Sequence, residues 1–245
     1  MAALHLPAGG RFFNPEATVT ETRFGAGRSC YVIDDALVDP QALVDWADAH
    51  VFEPPVTNAY PGQVMGVPPN LSASLDAWFA QHLRSRMGAR RTLDMYTRLS
   101  MVTLQPAQLR PCQWLCHKDR TALDPRTGLM AASVLYLFQN PDLGGTSFYE
   151  PRGTEAETEA LLADAQVLDN AAFAQRYGVS PGYLTASNAH FEQVAHVPAR
   201  WNRLIFYDGG LFHSGHIAQP ERLTPEVHTG RLTLNGFFGC RRAAT

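Results

Sequence analysis

The sequence predicts a mainly β protein with flanking helices, arranged as a β-sandwich or jelly roll. Its hydrophobic residues recur with a helical period up to about residue 88 and alternate with a period of two from residue 93 onward. Short apolar or alternating segments then follow one another to about residue 240, with one helical segment inserted among them. Helices followed by many short strands are typical of a β structure with helices packed outside it.

The N-terminal part predicts one strand and two helices. Residues 30–33 are apolar and aromatic or β-branched, which predicts a strand. Asp39 followed by Pro40 is an N-cap with proline at the first helical position, which predicts a helix start. Apolar residues across 71–87 fall on a 3.6-residue period, and Gly88 is expected to end this second helix.

The predicted strands begin where the period changes to two. Residues 93–101 alternate between an apolar face and a polar face that carries Tyr96, Arg98 and Ser100. Residues 131–138 are apolar on both faces, as expected for a strand inside a sandwich. Further strands are predicted at 146–149, 191–197, 201–207 and 231–238, and an aromatic strand at 203–212 leads into His213.

One helical insertion interrupts the strands at about residues 154–178. Thr154 and Glu157 form a capping-box pattern at its start, and Gly178 is expected to stop it. Long connections beside a functional site often cover it. We therefore expect the insertion and the loop that continues to Asn188 to form a lid.

Composition and charge exclude several classes of partner. The chain has 245 residues and a net charge of -3, without a basic or acidic block, so neither nucleic acid nor a membrane surface is expected to bind it. It has no apolar run of the roughly 18 residues that a spanning helix needs, and its first residues lack a signal-peptide pattern. A cytoplasmic protein with a small-molecule or peptide substrate is expected.

The four cysteines do not follow a zinc-binding spacing. Cys112 and Cys116 flank Trp114 shortly before a His-x-Asp pair, so a metal role for these two thiols is one alternative. Scattered cysteines in a reducing compartment are more often free thiols. Packing against Trp114 is the preferred interpretation.

The feature with the clearest chemistry is His117-x-Asp119. Residues two apart on an extended chain point to the same side, so the imidazole and the carboxylate converge. His213, after a late aromatic strand, supplies a third ligand, and His216 is the competing residue for that role. Two histidines and one carboxylate with open positions form the facial triad of non-heme Fe(II) oxygenases. The structural alternative is a loop His and Asp that bond to backbone.

An arginine on a late strand fits an anionic co-substrate. Arg231, Thr233 and Asn235 share one face of the predicted strand 231–238. A 2-oxoacid that binds the metal through one end leaves a distant carboxylate, for which the planar guanidinium of Arg231 is a bidentate partner.

These motifs together resemble the Fe(II)- and 2-oxoglutarate-dependent dioxygenase superfamily, most of all its prolyl-hydroxylase-like branch. The resemblance covers residues 93–240 and implies a double-stranded β-helix, or jelly roll. It implies one domain over residues 1–245, with a helical N-terminal part at about 30–90, a jelly-roll core at about 93–240 and the insertion at about 154–178. The motifs are His117-x-Asp119, residues 135–137 followed by 144–148, Phe212-His213 and Arg231-x-Thr233.

The resemblance implies that His117, Asp119 and His213 are the catalytic metal ligands. It implies Fe(II) as cofactor with 2-oxoglutarate and O2 as co-substrates, and hydroxylation of an amino acid, a peptide side chain or a small metabolite with release of succinate and CO2. In related halogenases a small residue replaces the carboxylate ligand, so the presence of Asp119 favours a hydroxylase.

The same resemblance implies that Arg231, helped by Thr233, binds the far carboxylate of 2-oxoglutarate. Tyr136 matches a position that bonds this carboxylate in some members, and a core aromatic is the alternative for Tyr136. The spacing departs from the branch, which usually places its basic residue nearer the second histidine, where this chain has Leu223. Arg222 is the competing residue, but it lies in a predicted loop without strand alternation.

The residues that contact the substrate are less defined by the sequence. Tyr96 and Arg98 lie on the polar face of an early strand, and Trp114 precedes the His-x-Asp pair, so these three are predicted to line the pocket. Two other functions are considered: a cupin-like metalloenzyme that does not use 2-oxoglutarate, and a non-catalytic binding or sensor module. No His-x-His pair of the cupin type occurs in the chain.

Overall fold

A computed structural model of the chain describes residues 10–25, 27–56, 59–119, 123–124 and 126–243. The strands are β1 (Val19–Phe24), β2 (Arg28–Ile33), β3 (Gly62–Gly66), β4 (Ala89–Val102), β5 (Gly128–Tyr136), β6 (Thr146–Pro151), β7 (Phe191–Val197), β8 (Leu204–Asp208), β9 (Phe212–Gly215) and β10 (Arg231–Arg242). The helices are α1 (Pro40–Asp48), α2 (Pro69–His82), α3 (Glu155–Val167) and α4 (Asn170–Tyr177).

The strands form two antiparallel sheets. The larger sheet has the order β1-β2-β8-β5-β10-β4-β3, and the smaller sheet has the order β7-β6-β9. A backbone pair between His117 and His213 extends the smaller sheet beside β9. Two facing antiparallel sheets with helices outside them confirm the predicted fold class, a mainly β jelly roll with flanking helices.

The N-terminal helices cover the outer face of the larger sheet. Asp39 caps α1 by accepting a hydrogen bond from the amide of Ala42, as its position before Pro40 predicts. Phe79 of α2 packs on Phe206 and Phe238, with ring centroids 5.4 and 4.5 Å away. None of the helices in the described ranges has the length and apolarity that crossing a membrane requires.

The space between the sheets is lined by the alternate residues of each strand. On β8, Ile205 and Tyr207 belong to this interior cluster, whereas Leu204 and Phe206 belong to the cluster under α2. The same alternation directs Arg231, Thr233 and Asn235 of β10 to the interior, because Leu232 and Leu234 pack under α2. The interior face is therefore the place where buried polar side chains meet.

The helical insertion lies on the outer face of the smaller sheet and consists of two helices, α3 and α4. The capping box of Thr154 and Glu157 begins α3, and Gly178 ends α4 in a left-handed conformation, as predicted. Asp169 caps α4 and divides the insertion. Leu161 of α3 and Phe173 of α4 are buried against the outer face.

Three other expected boundaries differ. The second helix ends at His82 rather than at Gly88, which lies in the turn before β4 with a φ of +73°. The aromatic segment 203–212 is two strands in different sheets, because residues 209–211 turn the chain between β8 and β9. His117 makes an isolated bridge and is not part of a longer strand.

Candidate metal centre

Backbone hydrogen bonds hold the His-x-Asp segment against the turn between β8 and β9. The amides and carbonyls of His117 and His213 bond to each other at 2.9 Å in both directions. The amide of Asp119 donates to the carbonyl of Gly209 at 2.8 Å. His213 is thus brought to His117 and Asp119, although more than ninety residues separate it from them along the chain.

The structure places one nitrogen of each histidine and one oxygen of Asp119 within 4.8 Å of one another. His117 Nε2 lies 3.9 Å from Asp119 Oδ1, and His213 Nε2 lies 3.6 Å from Asp119 Oδ2. Bonds of about 2.0–2.2 Å to one ion place two ligand atoms at most roughly 4.4 Å apart. Both separations fit ligation of a single metal ion.

The protonation of the histidines suits metal binding. His213 Nδ1 donates to the carbonyl of Leu211 at 2.8 Å, which leaves the lone pair of Nε2 directed at the centre. Desolvation lowers the pKa of His213 to about 4 and, with the neighbouring His213, that of His117 to about 4. The His117 side chain is 59% accessible, whereas that of His213 is 6% accessible. Both rings are neutral near pH 7.

The environment of the Asp119 carboxylate best distinguishes a metal site from a structural His–Asp contact. Its Oδ2 is buried and has no hydrogen-bond partner among the described residues. Desolvation raises the pKa of this carboxyl group. A buried carboxylate oxygen without a donor is costly unless a cation binds it, so the donor set fits a divalent ion.

Gly209 is a site residue that the sequence reasoning missed. A Cβ at this position would lie 2.7 Å from Asp119 Oδ2 and 2.9 Å from Asp119 Cβ. Only glycine lets the turn approach the carboxylate this closely. The signal in the sequence was the Gly209-Gly210 pair just before Phe212-His213.

We expect Gly209→Ala to lower Fe(II) affinity by about 10- to 100-fold, the usual effect of displacing a ligand through its supporting residues. Anaerobic Fe(II) titration of the purified protein measures this change. Gly66→Ala is the matched control, because a Cβ at Gly66 meets no atom within 4 Å. Equal iron affinity in the two variants would contradict the role given to Gly209.

Arg231 lies at the buried start of β10 and is 5% exposed. Its Nε donates to the carbonyl of Leu143 at 2.9 Å, and one Nη donates to the carbonyl of Gly145 at 3.0 Å. Arg231 therefore fixes the Gly144-Gly145 turn as well as presenting a charge. Arg222, the competing residue, is about half exposed in a 3-10 turn and pairs with Asp142 at 3.4 Å.

Tyr136 and Thr233 are neighbours across β5 and β10. The Tyr136 hydroxyl shares a hydrogen bond of 2.8 Å with Thr146 Oγ1, and the Thr233 hydroxyl donates to the carbonyl of Ser100 at 3.3 Å. The charge of Arg231 acts on the Tyr136 phenol, whose pKa is raised by burial. Tyr136 is thus a buried aromatic that also lies close to Arg231.

Tyr207 is a second residue that the sequence reasoning missed. Its ring packs edge-on against His213 with centroids 4.7 Å apart. Burial and the charge of Asp119 raise the pKa of Tyr207, and Arg231 acts in the opposite direction. Tyr207 therefore packs directly beside a metal ligand. The period-two alternation of β8 was the available signal, because it places Tyr207 on the interior face.

Of the three residues predicted to line the substrate pocket, Arg98 and Tyr96 are neighbours on β4, with the Arg98 guanidinium carbon 6.0 Å from the Tyr96 ring centroid, whereas Trp114 lies elsewhere. Arg98 is buried on the interior face of β4, and Tyr96 lies at its rim with 54% exposure. Trp114 lies in the outer cluster with Phe173, and its indole nitrogen donates to the carbonyl of Leu109. It packs under the helices rather than facing the interior, so its placement does not match the predicted role.

Other residues weighed as ligands lie elsewhere. His216 stacks on His196 with centroids 4.1 Å apart, and its Nδ1 lies 2.8 Å from Ser147 Oγ. Cys116 is buried in the same cluster as Trp114, and Cys112 packs against that cluster. Both thiols are free and belong to or pack against the cluster that contains Trp114, in line with the packing interpretation.

A profile described as "Family of unknown function (DUF6445)" matches residues 15–238. The chain belongs to the DUF6445 family. No curated protein sequence matches it.

Several solved structures are similar to this DUF6445 chain. A Pseudomonas putida prolyl-4-hydroxylase is 16% identical with a TM-score of 0.38, over 83% of this chain and 84% of that one. Iron-bound HygX from Streptomyces hygroscopicus is 12% identical with a TM-score of 0.48, over 87% and 82% of the two chains. An N-substituted L-amino acid dioxygenase from Burkholderia ambifaria is 12% identical with a TM-score of 0.41, over 93% and 98%.

Proposed function

We propose that this chain is a single-domain, Fe(II)- and 2-oxoglutarate-dependent oxygenase that hydroxylates an amino acid, a peptide side chain or a small metabolite. The observation that carries the proposal is the convergence of His117, Asp119 and His213 around the unpartnered Asp119 Oδ2. A buried arginine on the same interior face adds the charge that a dicarboxylate co-substrate requires.

The metal role of the chain's own residues follows from their donors. His117 and His213 offer neutral nitrogens and Asp119 a carboxylate, a set that suits Fe(II) and leaves positions open. Bound Fe(II) supplies the chemistry that couples decarboxylation of 2-oxoglutarate, giving succinate and CO2, to oxidation of a substrate C–H bond. The Leu211 carbonyl keeps His213 in the ligating tautomer, and Gly209 leaves room for Asp119.

The co-substrate role is assigned to Arg231 with Thr233 and Tyr136. The contacts of Arg231 with Leu143 and Gly145 engage Nε and one Nη, so the guanidinium retains donors for a carboxylate. Tyr207 packs edge-on against His213 and so borders the metal centre. A 2-oxoacid held at both ends is thereby oriented and partly shielded from water.

We expect a metal-to-ligand charge-transfer band in the visible spectrum when Fe(II) and 2-oxoglutarate are both added without oxygen. Neither addition alone is expected to produce it, because the band requires the 2-oxoacid to bind iron. His213→Ala and His117→Ala are expected to lack the band. His216→Ala is the matched control and is expected to keep it, since His216 lies outside the metal centre.

Two outcomes would redirect the proposal. Iron binding without the band would favour a metalloenzyme that does not use 2-oxoglutarate. Absence of iron binding would favour a non-catalytic binding or sensor module. Succinate formation from 2-oxoglutarate under oxygen provides the activity measurement that accompanies the spectrum.

A further inference from the structure

Arg98 is a buried cation in an aromatic setting that the proposed reaction does not use. Its side chain extends into the interior from β4, and the residue is 9% exposed. The guanidinium carbon lies 5.3, 6.0 and 5.4 Å from the ring centroids of Tyr60, Tyr96 and Phe237, respectively. These rings provide favourable faces for a cation, but they supply no negative charge.

The hydrogen bonds of Arg98 leave most of its donors available. Nε donates to Ser100 Oγ at 3.1 Å, and Asn235 Nδ2 donates to the same oxygen at 3.3 Å. Among the described residues, no carboxylate lies within ion-pair distance of Arg98. The residues outside the described ranges include no Asp or Glu. A buried arginine without an anion is an incomplete site.

Arg98 and Arg231 are both buried on the interior face of the larger sheet, at separate positions. In the β4–β10 register, Arg98 pairs with Asn235, whereas Arg231 pairs with Val102. Four residues along a strand span roughly 13 Å. The side chains of Arg98 and Arg231 therefore enter the interior from different register positions of the β4–β10 pair.

The charge balance of the site with Fe(II) and 2-oxoglutarate bound indicates the charge of the primary substrate. Fe(II), Arg98 and Arg231 together carry four positive charges, whereas Asp119 and 2-oxoglutarate carry three negative charges. Asp208, the other carboxylate that acts on Asp119, lies nearer the surface and 3.9 Å from Arg242. One buried positive charge remains without an opposite charge, which favours a substrate with a single negative charge.

We propose that Arg98 is a specificity-determining residue that binds a carboxylate group of the primary substrate inside the Tyr60, Tyr96 and Phe237 cage. The inference rests on the proposed function and narrows its substrate class to carboxylic acids. A planar carboxylate matches the two Nη donors of one guanidinium. Neither a neutral amide nor an internal peptide segment without an acidic side chain would supply this charge.

The test observes the arginine Nε–H groups by NMR in the Zn(II)-substituted protein, which is diamagnetic. The Arg98 and Arg231 signals are assigned by their loss in Arg98→Met and Arg231→Lys. We expect 2-oxoglutarate to shift the Arg231 signal. Millimolar acetate, added afterwards, is expected to shift the Arg98 signal saturably, and isosteric acetamide is expected to leave it unchanged. Acetate is small enough that pocket shape does not limit the result.

Each outcome separates the inference from the proposed function. Failure of acetate to move the Arg98 signal, or movement of that signal by 2-oxoglutarate, would overturn the inference. If 2-oxoglutarate moves neither signal, the proposed function fails, and acetate still decides whether Arg98 binds anions. Triglycine and its amide distinguish the sources of the carboxylate. If triglycine shifts the Arg98 signal and its amide does not, the site accepts peptide C-termini. If acetate shifts the Arg98 signal and triglycine does not, the site is restricted to small acids.

Protein stability provides a second readout. Arg98→Met retains an apolar side chain of similar length among the rings and removes an unpaired buried charge, so its Tm is expected to equal or exceed that of the wild type. Arg91→Met, at an exposed position of the same strand, is the matched control. A marked loss of stability in Arg98→Met alone would mean that the rings are structural partners of Arg98 and would count against a ligand site.

Discussion

Asp119→Ala is expected to lower succinate formation from 2-oxoglutarate by more than about 100-fold. Changes to residues that merely support a metal ligand cost roughly 10- to 100-fold in metal affinity or activity, and Asp119 is the only carboxylate among the three proposed ligands. Its removal leaves two neutral nitrogens, which hold Fe(II) weakly. Coupled measurements of iron content and succinate release test this expectation.

The stability of the variant distinguishes loss of the site from loss of the fold. In the metal-free protein, Asp119 Oδ2 is buried without a donor, so alanine is not expected to lower Tm. Glu159→Ala, which removes a carboxylate from the exposed face of α3, is the matched control. Turnover of Asp119→Ala equal to that of Glu159→Ala would exclude Asp119 as a catalytic ligand.

Arg231→Ala is expected to raise the Kd for 2-oxoglutarate by about 30-fold or more, because losing one partner of a buried charge pair costs roughly 2–5 kcal/mol. The same change is expected to lower Tm, since the carbonyls of Leu143 and Gly145 each lose a donor. An unsatisfied buried polar group costs about 1–3 kcal/mol. Titration of 2-oxoglutarate into the Fe(II) protein without oxygen and thermal unfolding measure the two effects.

Two further variants separate the charge of Arg231 from its role in the turn. Arg231→Lys keeps a positive charge without the planar fork, so an intermediate Kd is expected. Arg222→Ala is the control, because Arg222 is half exposed and pairs with Asp142. If Arg222→Ala weakens 2-oxoglutarate binding and Arg231→Ala does not, the competing assignment from the sequence is the correct one.

Local signals in the sequence predicted the elements that depend on short-range chemistry. Asp39 before Pro40, the pair of Thr154 with Glu157, and Gly178 each mark a helix terminus where the structure has one. Gly88 was misassigned because a glycine with positive φ serves equally in the turn before a strand. The division of the insertion at Asp169 was missed, although an N-cap residue in the middle of a helical pattern was the available sign.

The sequence by itself determined the class of the fold, the His-x-Asp pair and the residues that share a strand face, because alternation and ligand type are properties of neighbouring residues. Only the tertiary structure decided which distant side chains meet. It brought His213 rather than His216 to Asp119, turned Trp114 outward, and placed Gly209 and Tyr207 beside the ligands. Sheet register and the turn between β8 and β9 fix these contacts, and both depend on pairings between segments far apart in the chain.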